Sequence, residues 1–433
     1  MRTSLGTVAD VTAVVARRLS LTVRAEQDRT GAVIPPARRR ELAEDLIAAE
    51  VRIRLSAVQQ PSAPGLADEA AALEKSITDA LCAMGGLQPY LDMPDVENIN
   101  ATGHDQVFLR FADGRRERGA TPIADSDADL IDLIRTAAAR VGHEERRFDR
   151  GAPMLSLQLP DGSRLFAVMA VTKRPSISVR RHRYPKATLS DLIALGTVDP
   201  GLAAFFSAAV RAKLNILIAG GTGAGKTTML RALAAEMDPD ERLVTIEDAL
   251  ELGLDTDPVR HWDVVPMQAR EANSEGRGAI SQAELVRAGL RMSPDRVIVG
   301  EIRGAEVIPM CNAMSQGNDG SMATLHASTS AGVFAKLAAY AAQSPERLDL
   351  PSTNLLVANA LHLVVQLDQT PEGTRVVSSV REITGADGPM VVSNEIFHPG
   401  PDRRALPATP PTAARMAQLE AAGFEPATFR RPR

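Results

Sequence analysis

The spacing of apolar residues changes along the chain. In the N-terminal 58 residues it predicts helices. Residues 1–58 carry apolar residues at helical intervals, for example Leu42, Leu46 and Val51, and the linker-like segment QQPSAPG follows at 59–65. We therefore expect residues 1–65 to form a helical N-terminal extension and its linker.

Residues 66–185 combine apolar residues at helical spacing with short apolar runs typical of strands. A second helical stretch, LADEAAALEKSITDALCAM, comes before four short apolar runs with strand character. These runs are Glu97–Asn100, Val107–Phe111, Met154–Leu159 and Leu165–Ala170. The pairs Asp113-Gly114 and Asp161-Gly162 are typical of turns between strands. This region is predicted to be a small α+β domain.

From residue 186 to 398, apolar strands alternate with longer helical segments, as in a mostly parallel sheet covered on both faces. The predicted strands are Asn215–Ala219, Leu243–Glu247, Val264–Pro266 and Val297–Gly300. Ser281 and Glu284 form a capping box that opens a helix through Met292. The predicted fold class is α/β. From 399 the chain is rich in proline, and we expect this tail, with one helical candidate at Thr412–Ala422, to pack loosely.

Composition narrows the class of protein. With 433 residues, two or three domains are expected, and 44% hydrophobic with 24% charged residues is ordinary for a globular chain. A net charge of −5 and 3% aromatic residues disfavour nucleic acid as a partner. Two cysteines, Cys82 and Cys311, are too few for a disulfide framework or a four-cysteine zinc site. No apolar run reaches the roughly 18 residues of a membrane span, so we expect a cytoplasmic protein that reaches a membrane only through a partner.

The segment NILIAGGTGAGKTTMLRAL predicts a phosphate-binding loop between a buried strand and a helix. The loop residues that we assign to ATP are Gly220, Gly221, Thr222, Gly223, Ala224, Gly225, Lys226, Thr227 and Thr228. Lys226 is expected to reach the β- and γ-phosphates, and Thr227 to supply a hydroxyl to Mg²⁺. The alternative is a glycine-rich tight turn without a ligand, which the Lys-Thr pair at the required position disfavours.

Two carboxylates follow apolar strands and are candidates for catalysis. Glu301 ends the run VIVGE, where it would bind magnesium through water or activate the attacking water. Glu247 ends the run LVTIE and is a second candidate for water activation, while the adjacent Asp248 would cap the turn. The division of labour between Glu247 and Glu301 stays open, and Glu301 could instead be a solvated strand end.

His326 and several arginines complete the candidate site. In GNDGSMATLHA, His326 is either a structural histidine or a sensor of the γ-phosphate. Arg180, Arg181 and Arg183 lie in SISVRRHR at the junction of the two large domains, and Arg303 closely follows Glu301. These arginines are either a solvated face or a clamp on the nucleotide phosphates when the domains close.

Five segments in order resemble the boxes of the secretion ATPase superfamily of type II, type IV and tight-adherence (Tad) pilus systems. They are GGTGAGKTT, TIEDALEL, Arg270 with EGRG, MSPDRVIVGEIRGAE and GNDGSMATLHA. The chain is most similar to CpaF-like Tad pilus ATPases, over roughly residues 80–385, including GGLQPYLDMPDVENIN, LPDGSRLFAV and SISVRR upstream.

This resemblance implies a RecA-like ATPase domain behind an N-terminal domain, assembled as a homo-hexamer with ATP between the domains. It implies a Walker A loop at 220–228, an acidic box at Glu247, a Walker B box at Glu301 and a histidine box ending at His326. A motor of this kind acts on an inner-membrane platform protein. A nucleic-acid translocase on the same core and a nucleotide-gated scaffold with little turnover are the alternatives.

Overall fold

The structure, a computed structural model, describes residues 2–3, 6–32, 34–58, 65–141, 147–181, 186–270, 272 and 276–429. It divides into two compact units, Met1–Arg183 and Tyr184–Arg433. Among the residues that are described, no helix combines the length and the apolar character that a membrane crossing requires.

The first unit begins with a short hairpin, β1 (Arg2–Thr3) and β2 (Gly6–Thr7), and three helices, α1 (Val8–Thr30), α2 (Pro36–Ala57) and α3 (Leu66–Cys82). The helices share one buried cluster that includes Val15, Ile47 and Leu73. The predicted helical extension is therefore present, and α3 packs in the same core although the sequence pattern groups it with the following domain. Most of the predicted linker lies outside the described residues.

A six-stranded antiparallel sheet forms the rest of this unit, in the order β5-β4-β3-β8-β7-β6. Its strands are β3 (Val96–Thr102), β4 (Gln106–Phe111), β5 (Arg116–Arg118), β6 (Met154–Gln158), β7 (Arg164–Val168) and β8 (Ser176–Arg180), with helices α4 (Gln88–Leu91) and α5 (Asp127–Val141). Buried and exposed residues alternate along β4, as expected for a sheet with one face on a core. Gly114 and Gly162 adopt the positive φ that the predicted turns require.

The second unit is built on a nine-stranded sheet in the order β11-β10-β12-β13-β9-β14-β15-β16-β17. Its strands are β9 (Ile216–Gly220), β10 (Leu243–Glu247), β11 (Val264–Gln268), β12 (Arg296–Ile302), β13 (Met322–His326), β14 (Leu363–Gln369), β15 (Arg375–Asp387), β16 (Met390–Pro399) and β17 (Ala405–Pro407). Its helices are α6 (Leu189–Ala194), α7 (Pro200–Arg211), α8 (Lys226–Ala234), α9 (Gln282–Gly289), α10 (Val307–Ser315), α11 (Gly332–Gln343), α12 (Leu350–Ala360), α13 (Ala413–Ala421) and α14 (Pro426–Phe429).

The strands from β11 to β14 pair in parallel, and the three that follow are antiparallel. Ile216 and Ile218 of β9 pack in one buried cluster, whereas Leu217 and Ala219 pack in another on the opposite face. The α/β class that the strand and helix pattern predicts is confirmed, and so is the RecA-like core that the family resemblance implies. The four predicted strands are present with ends shifted by up to two residues, and the capping box of Ser281 and Glu284 opens α9.

The expectation of a loosely packed tail is wrong for the residues described. Strand β16 runs up to Pro399, and β17 extends the same sheet. Leu419 of α13 is fully buried, and the Phe424 ring meets the Phe205 ring edge-on at 5.7 Å between centroids. The physical reason is that Leu419 and Phe424 are apolar side chains that pack with Phe205 of α7 in one buried cluster, which removes them from water.

Candidate functional site

The phosphate loop lies between β9, which is buried along its whole length, and α8, which begins at Lys226. Gly223 and Gly225 have φ of 77° and 95°, so an L side chain would strain both positions. A Cβ at Gly221 or Gly223 would meet nothing within 4 Å, which leaves open space on the loop. At Gly220, by contrast, a Cβ would lie 2.9 Å from the carbonyl oxygen of Leu367, so this glycine is required for packing against β14.

The side chain of Lys226 is 8% exposed and lies over its own loop. Its Nζ donates hydrogen bonds to the carbonyl oxygens of Gly220 at 3.1 Å and Gly221 at 3.0 Å. These neutral acceptors are weaker partners than a phosphate oxygen, so the ammonium is held at the loop and available to an anion. Among the other assigned residues, Ala224 is buried, Thr222 is exposed, and Thr227 and Thr228 are half-buried in the first turn of α8.

Glu301 and His326 meet Lys226 at the carboxyl edge of the sheet. Nδ1 of His326 lies 3.1 Å from Nζ of Lys226, and its Nε2 lies 2.8 Å from Oε1 of Glu301. The contact with Glu301 is not aligned as a hydrogen bond, and Oε1 is buried without one. Burial lowers the pKa of the His326 imidazole, and the nearby Lys226 ammonium acts in the same direction. His326 is therefore neutral at pH 7 in this arrangement.

Arg303 fixes the other oxygen of Glu301. Its guanidinium contacts Oε2 at 2.9 Å and 2.6 Å, and it also donates to the carboxylate of Asp248. The pairing of β12 with β13 shifts register between Val299 and Ile302, and such an irregularity turns a side chain away from the regular pleat. Glu301 lies within this irregular segment.

Glu247 is the end residue of β10 and is 4% exposed. Its Oε2 accepts hydrogen bonds from the amides of Glu251 at 2.8 Å and Leu252 at 2.9 Å, while Oε1 is buried without a partner. Burial raises the pKa of this carboxyl to about 7. Its Cγ would lie 3.0 Å from a Cβ at Gly300, so the carboxylate packs directly beside the residue that precedes Glu301.

Arg231 is a site residue that the sequence pattern did not reveal. It is 4% exposed on α8, and its Nε donates to the carbonyl oxygen of Leu252 at 2.9 Å, with a further bond to that of Glu251. The backbone amides of Glu251 and Leu252 donate to Glu247, so Arg231 stabilises the same turn that binds the Glu247 carboxylate. Spacing along a helix shows only that Arg231 lies near the loop, not which carbonyls it meets.

Arg180 and Arg181 belong to the first unit. Arg180 ends β8 with an exposed side chain, and Arg181 donates to the carbonyl oxygens of Val96 at 3.3 Å and of Met93. Their role as phosphate clamps stays a prediction, and Arg183 lies outside the described residues.

The residues present fit a nucleotide with Mg²⁺. The open loop and Lys226 provide donors for phosphates, and Oε1 of Glu247 and Oε1 of Glu301 are buried acceptors without a hydrogen bond. The loop residues 220–228 would hold the phosphates, and Thr227 with Glu301 would hold the metal. Among the described residues no three His, Cys, Asp or Glu side chains gather into a metal site.

Several known proteins are similar to this chain. The putative conjugal transfer protein MT3759 of Mycobacterium tuberculosis is 34% identical over 316 residues, which cover 71% of this chain and 86% of that protein. The type IV secretion system protein PtlH of Bordetella pertussis is 32% identical over 313 residues, covering 65% and 88%. The solved VirB11 ATPase from the Brucella suis type IV secretion system, in complex with sulphate, is 28% identical and is matched over 69% of this chain and 92% of that chain, with a TM-score of 0.37. The family described as type II/IV secretion system protein matches residues 98–393, more than half of the chain. The chain therefore belongs to the type II/IV secretion system protein family.

Proposed function

We propose that this protein is a Mg²⁺-dependent ATPase that hydrolyses ATP to ADP and phosphate and drives a secretion or pilus machine. The observation that carries the proposal is the position of His326 beside an open phosphate loop: its Nδ1 lies 3.1 Å from Nζ of Lys226, and its Nε2 lies 2.8 Å from Oε1 of Glu301. A point charge, a neutral imidazole and a carboxylate at that edge are the groups that bind a γ-phosphate and respond to its loss.

The two carboxylates take different roles in this proposal. Glu301, fixed by Arg303, would hold the metal, which would supply positive charge to the phosphate oxygens. Glu247 orients the attacking water and accepts its proton through the unbonded Oε1, because a carboxyl with a pKa near 7 is a useful base at neutral pH. Lys226 exchanges its loop carbonyls for phosphate oxygens.

At the level of assembly, we propose a homo-hexamer that couples ATP turnover to domain motion and passes it to an inner-membrane platform protein. This places the protein in the cytoplasm, at the inner face of the cytoplasmic membrane. Membership of the secretion family and the resemblance of the five sequence boxes to CpaF-like Tad ATPases support this assignment.

The test is steady-state ATPase activity measured against protein concentration, with sizing runs in the presence and absence of ATP and Mg²⁺. We expect specific activity to rise as a ring of about six subunits assembles. Tight nucleotide binding without turnover at every concentration would instead support a nucleotide-gated scaffold.

An exposed face of the six-stranded sheet favours a nucleic-acid translocase as the second candidate. Arg116 pairs across strands with Arg110, and Arg180 pairs with Arg164, with Asn98 between the two pairs. In the adjacent row, Phe108 and Phe166 are each 41% exposed. Positive charge beside aromatic rings is the pattern that binds single-stranded nucleic acid. An ATPase rate that single-stranded DNA leaves unchanged would exclude this candidate.

A further inference from the structure

A buried glutamine interrupts the apolar sequence of β14. Gln366 is 4% exposed, and its neighbours Val365 and Leu367 are buried apolar residues. A polar side chain at such a position costs free energy unless its groups are hydrogen-bonded. The roles proposed above do not involve Gln366, so the reason for its burial must lie in its contacts.

The side chain of Gln366 reaches across a neighbouring strand. Leu325 of β13, Ala219 of β9 and Gln366 of β14 stand in one row of the parallel sheet. Nε2 of Gln366 donates to the carbonyl oxygen of Ala327 at 3.2 Å, the first residue of the segment 327–330 that follows β13. Because Ala219 is small, the longer glutamine side chain can pass over β9.

The Gln366 amide also contacts the strand end at the phosphate loop. Its Nε2 donates to the carbonyl oxygen of Leu367 at 3.2 Å, and a Cβ at Gly220 would lie 2.9 Å from that oxygen. Since Ala327 directly follows His326, one buried amide connects the backbone beside the loop with the backbone beside the histidine. Its orientation is fixed, because a rotated amide would place Oε1 against two carbonyl oxygens.

A ring of four side chains holds the far end of the same segment. Nε of Arg381 donates to Oγ of Ser330 at 2.9 Å, and the hydroxyl oxygens of Ser330 and Ser379 lie 2.8 Å apart. Ser379 donates to Oε1 of Glu395 at 2.6 Å, and Nη2 of Arg381 lies 3.1 Å from Oε2 of the same carboxylate. Both serines are buried. The segment after β13 is therefore fixed at both ends to β14, β15 and β16.

We propose that Gln366 is a positioning residue for ATP hydrolysis, whose amide fixes the backbone after β13 so that His326 stays where the γ-phosphate binds beside Lys226. The proposal rests on the proposed function, in which the imidazole responds to the γ-phosphate. Nδ1 of His326 lies 3.1 Å from Nζ of Lys226, so a small displacement of the Ala327 backbone would change this contact. Ser330 supports the same segment from its other end.

The experiment measures the dissociation constants of ATP and ADP, each with Mg²⁺, and the single-turnover rate of ATP hydrolysis by the full chain. Gln366→Met keeps an unbranched side chain and removes the amide. In the described part of the chain Oε1 has no hydrogen-bond partner, so the substitution removes only the two bonds of Nε2. We expect hydrolysis to slow about tenfold and ATP affinity to fall about fivefold. ADP affinity should stay within about twofold, because ADP lacks the γ-phosphate.

Removal of His326 separates positioning from a general loss of structure. His326→Ala alone should slow hydrolysis, and adding Gln366→Met to it should change the rate by less than about twofold, because the amide then has no imidazole to position. Ser330→Ala breaks the ring at the far end of the segment and should show the same pattern as Gln366→Met with a smaller loss.

Asn354 offers a matched control. It is 3% exposed on α12, and its Nδ2 donates to the carbonyl oxygen of Gly388 at 3.3 Å, in the turn between β15 and β16. Asn354→Leu removes a buried amide and its bond to a backbone carbonyl, as Gln366→Met does, but at a carbonyl outside the segment 327–330. Its hydrolysis rate and its affinities for ATP and ADP should match those of the wild-type protein.

Three results would overturn the proposal while ATP hydrolysis by the wild-type protein stands. Gln366→Met could hydrolyse ATP at the wild-type rate, or weaken ADP binding as much as ATP binding. It could slow hydrolysis by the same factor with and without His326. His326→Ala could itself hydrolyse ATP as the wild-type protein does, which would leave Gln366 nothing to position. If the wild-type protein neither binds nor hydrolyses ATP, the proposed function fails and this proposal fails with it.

Discussion

Nζ of Lys226 lies 3.1 Å from Nδ1 of His326, although the two residues are 100 positions apart in the sequence. They meet because β9 and β13 are parallel neighbours whose register pairs Gly220 with His326. Both residues therefore stand at the carboxyl edge of the sheet, where the phosphate loop begins.

Replacing Lys226 tests the phosphate assignment. Lys226→Ala removes the point charge held over the loop, so we expect ATP turnover to fall at least about 100-fold, with ATP binding weakened or lost. Binding and steady-state hydrolysis measure this. Lys75→Ala, at an exposed ion pair in the first unit, is the control and should retain activity. Near-normal hydrolysis by the Lys226 variant would refute the site.

Glu301→Gln keeps the size of the side chain and removes its charge. We expect ATP to bind while hydrolysis slows by roughly 10²–10³, because a carboxylate that would hold the metal acts mainly on the chemical step. Separate measurement of the dissociation constant and of single-turnover hydrolysis decides the matter. Equal loss of binding and hydrolysis would show that the Arg303 contact, and not catalysis, is the function of Glu301.

Titration of Glu247 should make the free energy of unfolding depend on pH. Burial raises the pKa of its carboxyl from 4.5 to about 7, so the folded state binds a proton that the unfolded state has released between these values. The stabilisation that this bound proton adds to the free energy of unfolding is fully present below about pH 4.5 and is lost as pH rises through about 7. Glu247→Gln stays neutral and should lack this loss, which is on the order of 1–3 kcal/mol.

Urea unfolding of the wild-type protein and of Glu247→Gln, at pH 5 and pH 8, measures this effect. Other titrating groups are common to both proteins and cancel in the comparison of the two pH changes. The same pH change in both proteins would contradict the raised pKa of Glu247.

Phe424 tests whether the tail belongs to the core of the second unit. Phe424→Ala removes a ring that is 4% exposed and packs on Phe205, so we expect a loss of about 3–5 kcal/mol in the free energy of unfolding. Leu355→Ala, at a side chain that is 57% exposed, should change it by less than about 0.5 kcal/mol. Equal small effects would mean that the tail contributes little to stability.

Local pattern alone determined much of this protein. The loop GGTGAGKTT, the apolar strands at 215–219, 243–247 and 297–300, and the capping box at Ser281 are short-range signals, since each depends on residues adjacent in the chain. The order of the five boxes was also sufficient to identify the family, which the match over residues 98–393 confirms. Whether the machine is of the Tad type stays a proposal.

The tertiary structure decided which side chains meet. The pattern left open which of Glu247 and Glu301 activates water, whereas the structure buries Glu247 under two amides and places Glu301 between Arg303 and His326. Strand order brings these residues together, and it depends on packing between segments far apart in the chain. The tail shows the same limit: proline content suggested loose packing, but burial of Leu419 depends on a face of α7 that local sequence does not reveal.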